Sequence, residues 1–573
     1  MKKQKKKANK NVADQLQSGM NPAFVSAKYY HWLLPGSCFL VACGLLFYFI
    51  TQFPGYLPVD DSYICLSFAR NIVEHGEFFS YNPGELSSGI TSPLYAVLLA
   101  GVYCLVRDWH TTVLVLGAFS FVVALLGMMR VAYQVSGYWA VVAVSCLFGF
   151  SGHMAFFALF GMEPMLYIAF SVCAVSLFLE SRYFFAGCLV GLGMLCRPES
   201  IFLAFVLGLF FGIKIVIGIT KKEPVLSEVK NGLFFSFGFL LCVLPWILRC
   251  KQITDSFLPS TVAIKTYTDT PLARTWEFWF DSVRMYFPND WHNKLVASVV
   301  RPTAYMKLRS VIPLTMVAMF SLVGLRRSWK ASLFLLYIPV HLVVAGFRNP
   351  NSADNERYLA LDYAITYLYL SILFAWCLKI RVQNFFLRIG QKTVITSALV
   401  SLSVLLLMDY QWHIKMFQVK VQYFHYFDYQ IGEWLSKNTP SNTRIALYQA
   451  GGIKFFGKRY IIDGGGVSEH TIWKYLKSGT FAQSLIDRKA DYVASFGDEW
   501  LMSEGVHMRD TRFFQPVPLQ CRGLYKIVNK EALAIYLKEQ YRQRKLTPPS
   551  VVNTKGFPTL GKTLIMQATK PQS

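Results

Sequence analysis

Apolar runs recur along the first 410 or so of this chain's 573 residues, most of them near the roughly twenty residues that an α-helix needs to cross a bilayer. Inside the hydrocarbon every main-chain N–H and C=O has to be satisfied within the protein, so continuous runs of this kind can fold only as packed helices. The composition agrees, with 54% hydrophobic residues, 16% charged residues and a mean hydropathy of +0.36. The expected fold class is a polytopic α-helical membrane protein.

The net charge of +24 raises the question of nucleic acid. The Lys and Arg residues, however, sit in short clusters between the apolar runs, where they set orientation and meet anionic headgroups. No nucleic-acid partner is expected; membrane lipids are. The twelve cysteines include no Cys-x-x-Cys pair, which argues against both a disulfide framework and a zinc site.

Spanning runs occur near 31–52, 111–131, 138–158, 164–180, 184–197, 200–219, 230–248, 309–325, 331–346, 358–378 and 393–408, eleven in all. The segment 1–30 opens Met1-Lys2-Lys3-Gln4-Lys5-Lys6-Lys7 and is expected to be cytoplasmic. With that end inside, Lys221-Lys222, Arg326 to Lys330 and Lys379 to Lys392 all fall on the cytoplasmic side, as the positive-inside bias requires. The run at 93–106 is only about fourteen residues, below the roughly twenty that a spanning helix needs, and counting it as a crossing would put all three basic loops outside. It is read as re-entrant or interfacial.

The chain thus divides into the basic terminus, a membrane domain over 31–409 and an extracytoplasmic tail over 410–573. The location is an inner (cytoplasmic) membrane with the working face toward the periplasm. The tail carries more charge and clear turn signals. Its pattern predicts a helix over Ile431 to Lys437 and strands over Arg444 to Tyr448, Tyr460 to Asp463 and Asp491 to Phe496, a small α/β domain. Gly464-Gly465-Gly466 reads as a turn.

Five polar stretches fall on the same outer face: Asp60 to Ser92, Gly161 to Pro164, Arg197 to Glu199, Arg249 to about Lys307, and Arg348 to Tyr358. Carboxylates next to a bilayer are costly and tend to mark sites, which singles out Asp60 and Asp61. Adjacent residues point in different directions, so one of the two is expected to face a substrate. The competing reading makes them caps for a helix from Ser62 to Val73. Arg197, Lys265 and Arg357 have the cationic character to hold a phosphate, or serve as structural ion-pair partners. Glu163 stands at a helix start, where structure alone accounts for a carboxylate, and Glu199 is the ion-pair partner of Arg197 in the structural reading.

A sugar carried on a polyprenyl phosphate brings its own good leaving group. Its transfer needs one carboxylate to take the acceptor proton and cations to hold the phosphate. No Walker loop, His-Glu-x-x-His or Gly-x-Ser-x-Gly is present. No cofactor is certain from the sequence, and a divalent cation beside one aspartate stays open.

In order along the chain stand Asp60-Asp61-Ser62-Tyr63 through Arg70-Asn71, Asn82-Pro83-Gly84-Glu85, Gly89-Ile90-Thr91-Ser92-Pro93-Leu94, Gly161-Met162-Glu163 and Gly191-Leu192-Gly193 to Arg197-Pro198-Glu199. Further on come Pro245-Trp246, Arg249, Leu258-Pro259-Ser260-Thr261, Lys265, Arg357-Tyr358, Gly432-Glu433-Trp434-Leu435 and Ala450-Gly451-Gly452. In these pieces the chain resembles the GT-C glycosyltransferase superfamily, specifically bacterial polyprenyl-phosphate-sugar transferases of the arabinofuranosyltransferase and mannosyltransferase-like kind. The resemblance implies an aspartate base in the first outer loop (Asp60 or Asp61), and a donor phosphate held by Arg197, Lys265, Arg357 and Tyr358. Arg70, Glu163 and Glu199 would support them. It further implies inversion at the anomeric carbon and a tail domain that helps to hold the acceptor, a glycan, lipid or protein. Two positions depart from the family's pattern: some relatives have Glu at Ser88 and many have Asn at Ser260. The alternative function is a transporter or flippase of envelope polysaccharide precursors, although no internal symmetry supports paired halves. A non-catalytic scaffold in envelope assembly would leave the outer charges unexplained.

Overall fold

The computed structural model of the protein describes residues 32–261, 337, 341, 355–380, 383–448, 451–466, 468–494, 501, 504–519, 524–544 and 546. Lys265, the run at 309–325 and most of the run at 331–346 lie outside the described residues.

The first apolar run forms α1 (Leu33–Thr51), and α2 (Asp60–His75) follows it. A hairpin of β1 (Ser80–Asn82) and β2 (Glu85–Leu86) turns through Asn82-Pro83-Gly84-Glu85, with Gly84 in the left-handed region. The chain then enters the bundle with α3 (Pro93–Val106), α4 (Trp109–Ser136), α5 (Tyr138–Gly149), α6 (Gly152–Leu159) and α7 (Pro164–Leu179). It continues with α8 (Tyr183–Cys196), α9 (Ser200–Lys221), α10 (Leu226–Thr254), α11 (Ala360–Lys379) and α12 (Phe385–Phe424).

Six helices among the described residues are long and apolar enough to cross a membrane, or seven when α5 and α6 count as one span. The sequence predicts one continuous helix over 138–158; the structure bends it by 61° between α5 and α6. Ser151 supplies the break by capping α6, its hydroxyl accepting from the Met154 N–H at 3.4 Å. α3 and α8 are both 14 residues long, although only α8 falls in a run read as a crossing. Length alone therefore does not separate a crossing from an interfacial segment in this bundle.

α12 holds 40 residues, about 60 Å of helix at 1.5 Å per residue, twice the roughly 30 Å hydrocarbon core. It carries the chain through the bundle and beyond it, then passes through a π-helical turn (His425–Tyr429) into α13 (Gln430–Asn438). The change of composition at 410 therefore falls inside a continuous helix, and no linker marks it. The tail packs β3 (Arg444–Leu447), α14 (Gly452–Gly457), β4 (Tyr460–Asp463), α15 (Trp473–Ser478), α16 (Phe481–Asp487), β5 (Tyr492–Ala494), β6 (Phe514–Pro516), β7 (Leu524–Ile527) and α17 (Lys530–Gln543). Its sheet runs β4-β3-β5-β7-β6, with β3 parallel to both neighbours and β7 antiparallel to β5 and β6. The three strands expected from pattern are present; β6 and β7 carry no clear alternation and escape it.

α2 is the layer that joins the two parts. Tyr63, Leu66 and Ala69 belong to the core of the bundle, whereas Phe68 belongs to a second core shared with Ile431, Leu435, Ile445, Ile453 and Ile461 of the tail. A helix with apolar residues on two faces is buried on both, and α2 is sandwiched accordingly.

Candidate active site at the rim of the bundle

Asp60 and Asp61 are the first two residues of α2, after the extended Val59. Neither caps the helix through its side chain, so the capping reading does not describe them. The helix sends the two carboxylates apart. Asp60 is buried and accepts from the main chain of the tail, Gly451 N–H to Oδ2 at 3.0 Å and Gly452 N–H to Oδ1 at 2.6 Å. Burial, and then the neighbouring Asp61, push the Asp60 carboxyl up to about 7 even though those two N–H groups favour its ionised form. A Cβ on Gly451 would come within 1.9 Å of the Asp60 carbonyl oxygen, and one on Gly452 within 2.6 Å of the Asp428 Cβ. Only glycine allows this approach of main chain to carboxylate.

Asp61 faces the other way. Its side chain is 40% exposed, and Oδ2 accepts from Arg357 Nη2 at 2.7 Å. Arg357 is buried, and its Nη1 points at the Met162 sulfur at 3.1 Å, a weak acceptor. The Arg357 guanidinium lies 5.3 Å from the centre of the Tyr358 ring, and that of Arg197 lies 4.8 Å from the same ring. One aromatic ring thus gathers two cations.

Arg197 is held between two acids. Nη1 meets Glu163 Oε1 at 2.7 Å and Nη2 meets Glu199 Oε1 at 3.2 Å, with all three side chains at most 5% exposed. Glu163 also accepts from the Ser92 hydroxyl at 3.2 Å. Gly161 permits the turn that presents Met162 and Glu163: its φ is +87°, and a Cβ there would stand 2.7 Å from Leu57 Cδ1. The Arg197 Nε finds no hydrogen-bond partner among the described residues.

The structure therefore brings Asp61, Arg357, Tyr358, Arg197, Glu163 and Glu199 together at one rim and places Asp60 beside them but turned into the seam with the tail. Arg70 stands apart from this group. It is buried on α2, donates from Nη1 to the Phe455 carbonyl at 2.6 Å and lies 4.7 Å over the Phe455 ring, which makes it a fastening for the tail. Lys265 lies outside the described residues. Ser88 and Ser260, the two departures from the family pattern, touch each other: the Ser260 N–H donates to Ser88 Oγ at 3.3 Å.

Several residues of the neighbourhood escape sequence reasoning. Asp362, one turn into the bundle from Tyr358, bonds His341 at 2.7 Å. A lone carboxylate inside the apolar run 358–378 is the signal that would have found it. Asp428 and Lys454, both buried at the seam, sit in polar sequence where nothing distinguishes them from surface charges. No group of three or more His, Cys, Asp or Glu able to hold a metal ion occurs among the described residues, and both Asp60 oxygens are engaged by main-chain N–H groups.

Residues 414–545 match a family described as a domain of unknown function, DUF8728. Curated protein sequences give no match. Among solved structures, ArnT from Cupriavidus metallidurans bound to undecaprenyl phosphate is similar with a TM-score of 0.53 at 11% identity, over 86% of this chain and 97% of that one. The Archaeoglobus fulgidus oligosaccharyltransferase in its apo form is similar with a TM-score of 0.51 at 13% identity, over 88% of this chain and 75% of that one. Its complex with zinc and sulfate gives a TM-score of 0.52 at 13% identity, over 86% and 73%. ArnT and the oligosaccharyltransferase are both GT-C glycosyltransferases, and the fold of this multi-pass membrane chain is the GT-C fold.

Proposed function

We propose that this protein is an inverting glycosyltransferase that moves a sugar from a polyprenyl phosphate to a hydroxyl of an extracytoplasmic glycan, lipid or protein, with Asp61 as the base. The observation that carries the reading is the division of labour in the aspartate pair. Asp60 spends both oxygens on main-chain N–H groups, while Asp61 keeps partial exposure at the rim with one oxygen fixed by Arg357.

In this reading the acceptor hydroxyl approaches the partly exposed Asp61 carboxylate and gives up its proton there as its oxygen attacks the anomeric carbon. The bond from that carbon to the phosphate oxygen breaks on the opposite face, and the electron pair leaves with the polyprenyl phosphate. Arg357 is the cation placed to meet the departing charge, because among the described residues its Nη1 has only a thioether to donate to. Lys265 is proposed as a second cation for the donor phosphate. Arg197 is assigned a positioning role, since its charge is already outweighed by Glu163 and Glu199. Its cation–π contact with Tyr358, and that of Arg357 with the same ring, hold the fork that faces the donor.

Support for the lipid-phosphate donor comes from the fold shared with ArnT, whose structure holds undecaprenyl phosphate, and from the opening of the pair toward the rim. The test is transfer from a synthetic polyprenyl-phosphate sugar by the purified protein, with the anomeric configuration of the product read by NMR. A product of inverted configuration is expected. A retained configuration, or vesicle uptake of lipid-linked precursors with no new glycosidic bond, would refute the reading.

A further inference from the structure

Away from the aspartates, at the far end of α2, a cleft of about 320 Å³ opens between that helix and the tail domain. Its lining includes five cations, Arg70, Arg444, Lys454, Lys458 and Arg459, and a single carboxylate, Glu74. Three of the cations, Arg70, Lys454 and Arg459, are buried.

Buried charge is costly unless an opposite charge or good hydrogen bonds offset it. Lys454 is 3% exposed, and its ammonium donates to two neutral acceptors, Asn82 Oδ1 at 3.0 Å and the Arg459 carbonyl at 2.8 Å. An ammonium has three donors, so one is left among the described residues. Burial, and then the nearby Arg70, push the Lys454 ammonium down to about 7, the response of a cation set among cations. Arg70 reaches Glu74 only at 4.0 Å, and its shorter bond goes to a carbonyl. Lys458 is exposed beside them at φ +50°, closing the end of α14. The cleft is therefore built with more positive charge than its own residues neutralise, and its volume suits a ligand of monosaccharide size. Ser441 and Asn442 add neutral donors and acceptors to the same wall.

We propose that this cleft binds a phosphoryl group, presented by a saccharide or by a lipid headgroup, between Lys454, Lys458 and Arg444. A phosphate offers several acceptor oxygens to the unused ammonium donors and supplies the missing negative charge. Binding here needs no turnover, so the proposal stands or falls separately from the transfer reaction.

The experiment uses the full-length protein in phosphatidylcholine nanodiscs, titrated with glucose 1-phosphate. A second arm replaces part of the neutral lipid with phosphatidylglycerol and repeats the titration. Saturable binding of glucose 1-phosphate is expected, weakened by about tenfold or more in Lys458→Glu and Lys454→Gln and weakened further by salt. Loss of glucose 1-phosphate binding on adding phosphatidylglycerol, with the lipid's effect abolished by the same variants, would keep the phosphoryl site and name the lipid as its source. Lys458 is exposed, so its variant tests the site even where Lys454→Gln disturbs folding. Absence of binding in both arms, or affinity unchanged in Lys458→Glu, would overturn the proposal.

Discussion

The rim of the bundle and its seam with the tail both bury charge, yet they satisfy it in opposite ways. At the rim, side chains answer side chains: Arg357 with Asp61, Arg197 with Glu163 and Glu199. At the seam, side chains answer main chain: Asp60 takes the Gly451 and Gly452 N–H groups, Arg70 gives to the Phe455 carbonyl, and Asn82 both donates to and accepts from Ile461. A main-chain partner cannot swing away, so charges held that way fasten two bodies together. An ion pair at a partly exposed rim can exchange one partner for a phosphate or a hydroxyl. The contrast separates a joint from a candidate site although the two begin at adjacent residues of one helix.

The strongest way to break that contrast is to remove the rim cation. Arg357→Ala is expected to lower sugar transfer by about a hundredfold or more, the usual cost of losing a charge-stabilising group, with little change in thermal unfolding. Arg357→Lys keeps the charge without the fork and should fall between. A loss of fold in Arg357→Ala, rather than of turnover, would place the pair on the structural side.

At the seam the expectation reverses. Gly451→Ala puts a Cβ against the Asp60 carbonyl, a clash the joint can relieve only by opening, so a stability loss of about 1–3 kcal/mol is expected in thermal unfolding. Asn82→Ala removes an amide that bridges Ile461 and Lys454 across the seam and should cost about 1–3 kcal/mol for the buried groups left unpaired. Neither change touches the Asp61–Arg357 pair.

The smallest effect is a dependence on pH. Burial, and then Asp61 and Asp463, oppose the ionisation of Asp60 and hold its carboxyl at about 7 against an ordinary 3.8. The folded protein then binds that proton more tightly than the unfolded chain, so the stability of the seam falls as pH rises from about 4 to about 7. Asp60→Asn should flatten this part of the unfolding profile, and an unchanged slope would remove Asp60 as its cause.

The sequence made the two parts of this contrast unequally legible. Helices of the bundle follow directly from long apolar runs, and the charged residues of the rim stand out because charge beside lipid is rare: Asp61, Arg197 and Arg357 were all visible from residue type and position. The seam was not. Asp60 looks like Asp61 until the helix fixes their directions, and Arg70 looks like a supporting charge until its carbonyl partner is in place. Lys454 and Asp428 lie in a polar tail where burial is decided by packing against α2, a contact between residues nearly 400 apart in the chain. The bend between α5 and α6 was hidden for a related reason, since the apolar run continues through Ser151 and only the local cap breaks it.

Asp61→Asn and Asp60→Asn, measured side by side for initial rate of sugar transfer and for thermal unfolding, bear on the account most directly. Asp61→Asn is expected to lose about a hundredfold or more in rate while unfolding as the unaltered protein does, and Asp60→Asn to show its main effect in unfolding. Full activity in Asp61→Asn, or a rate loss confined to a normally folded Asp60→Asn, would contradict it.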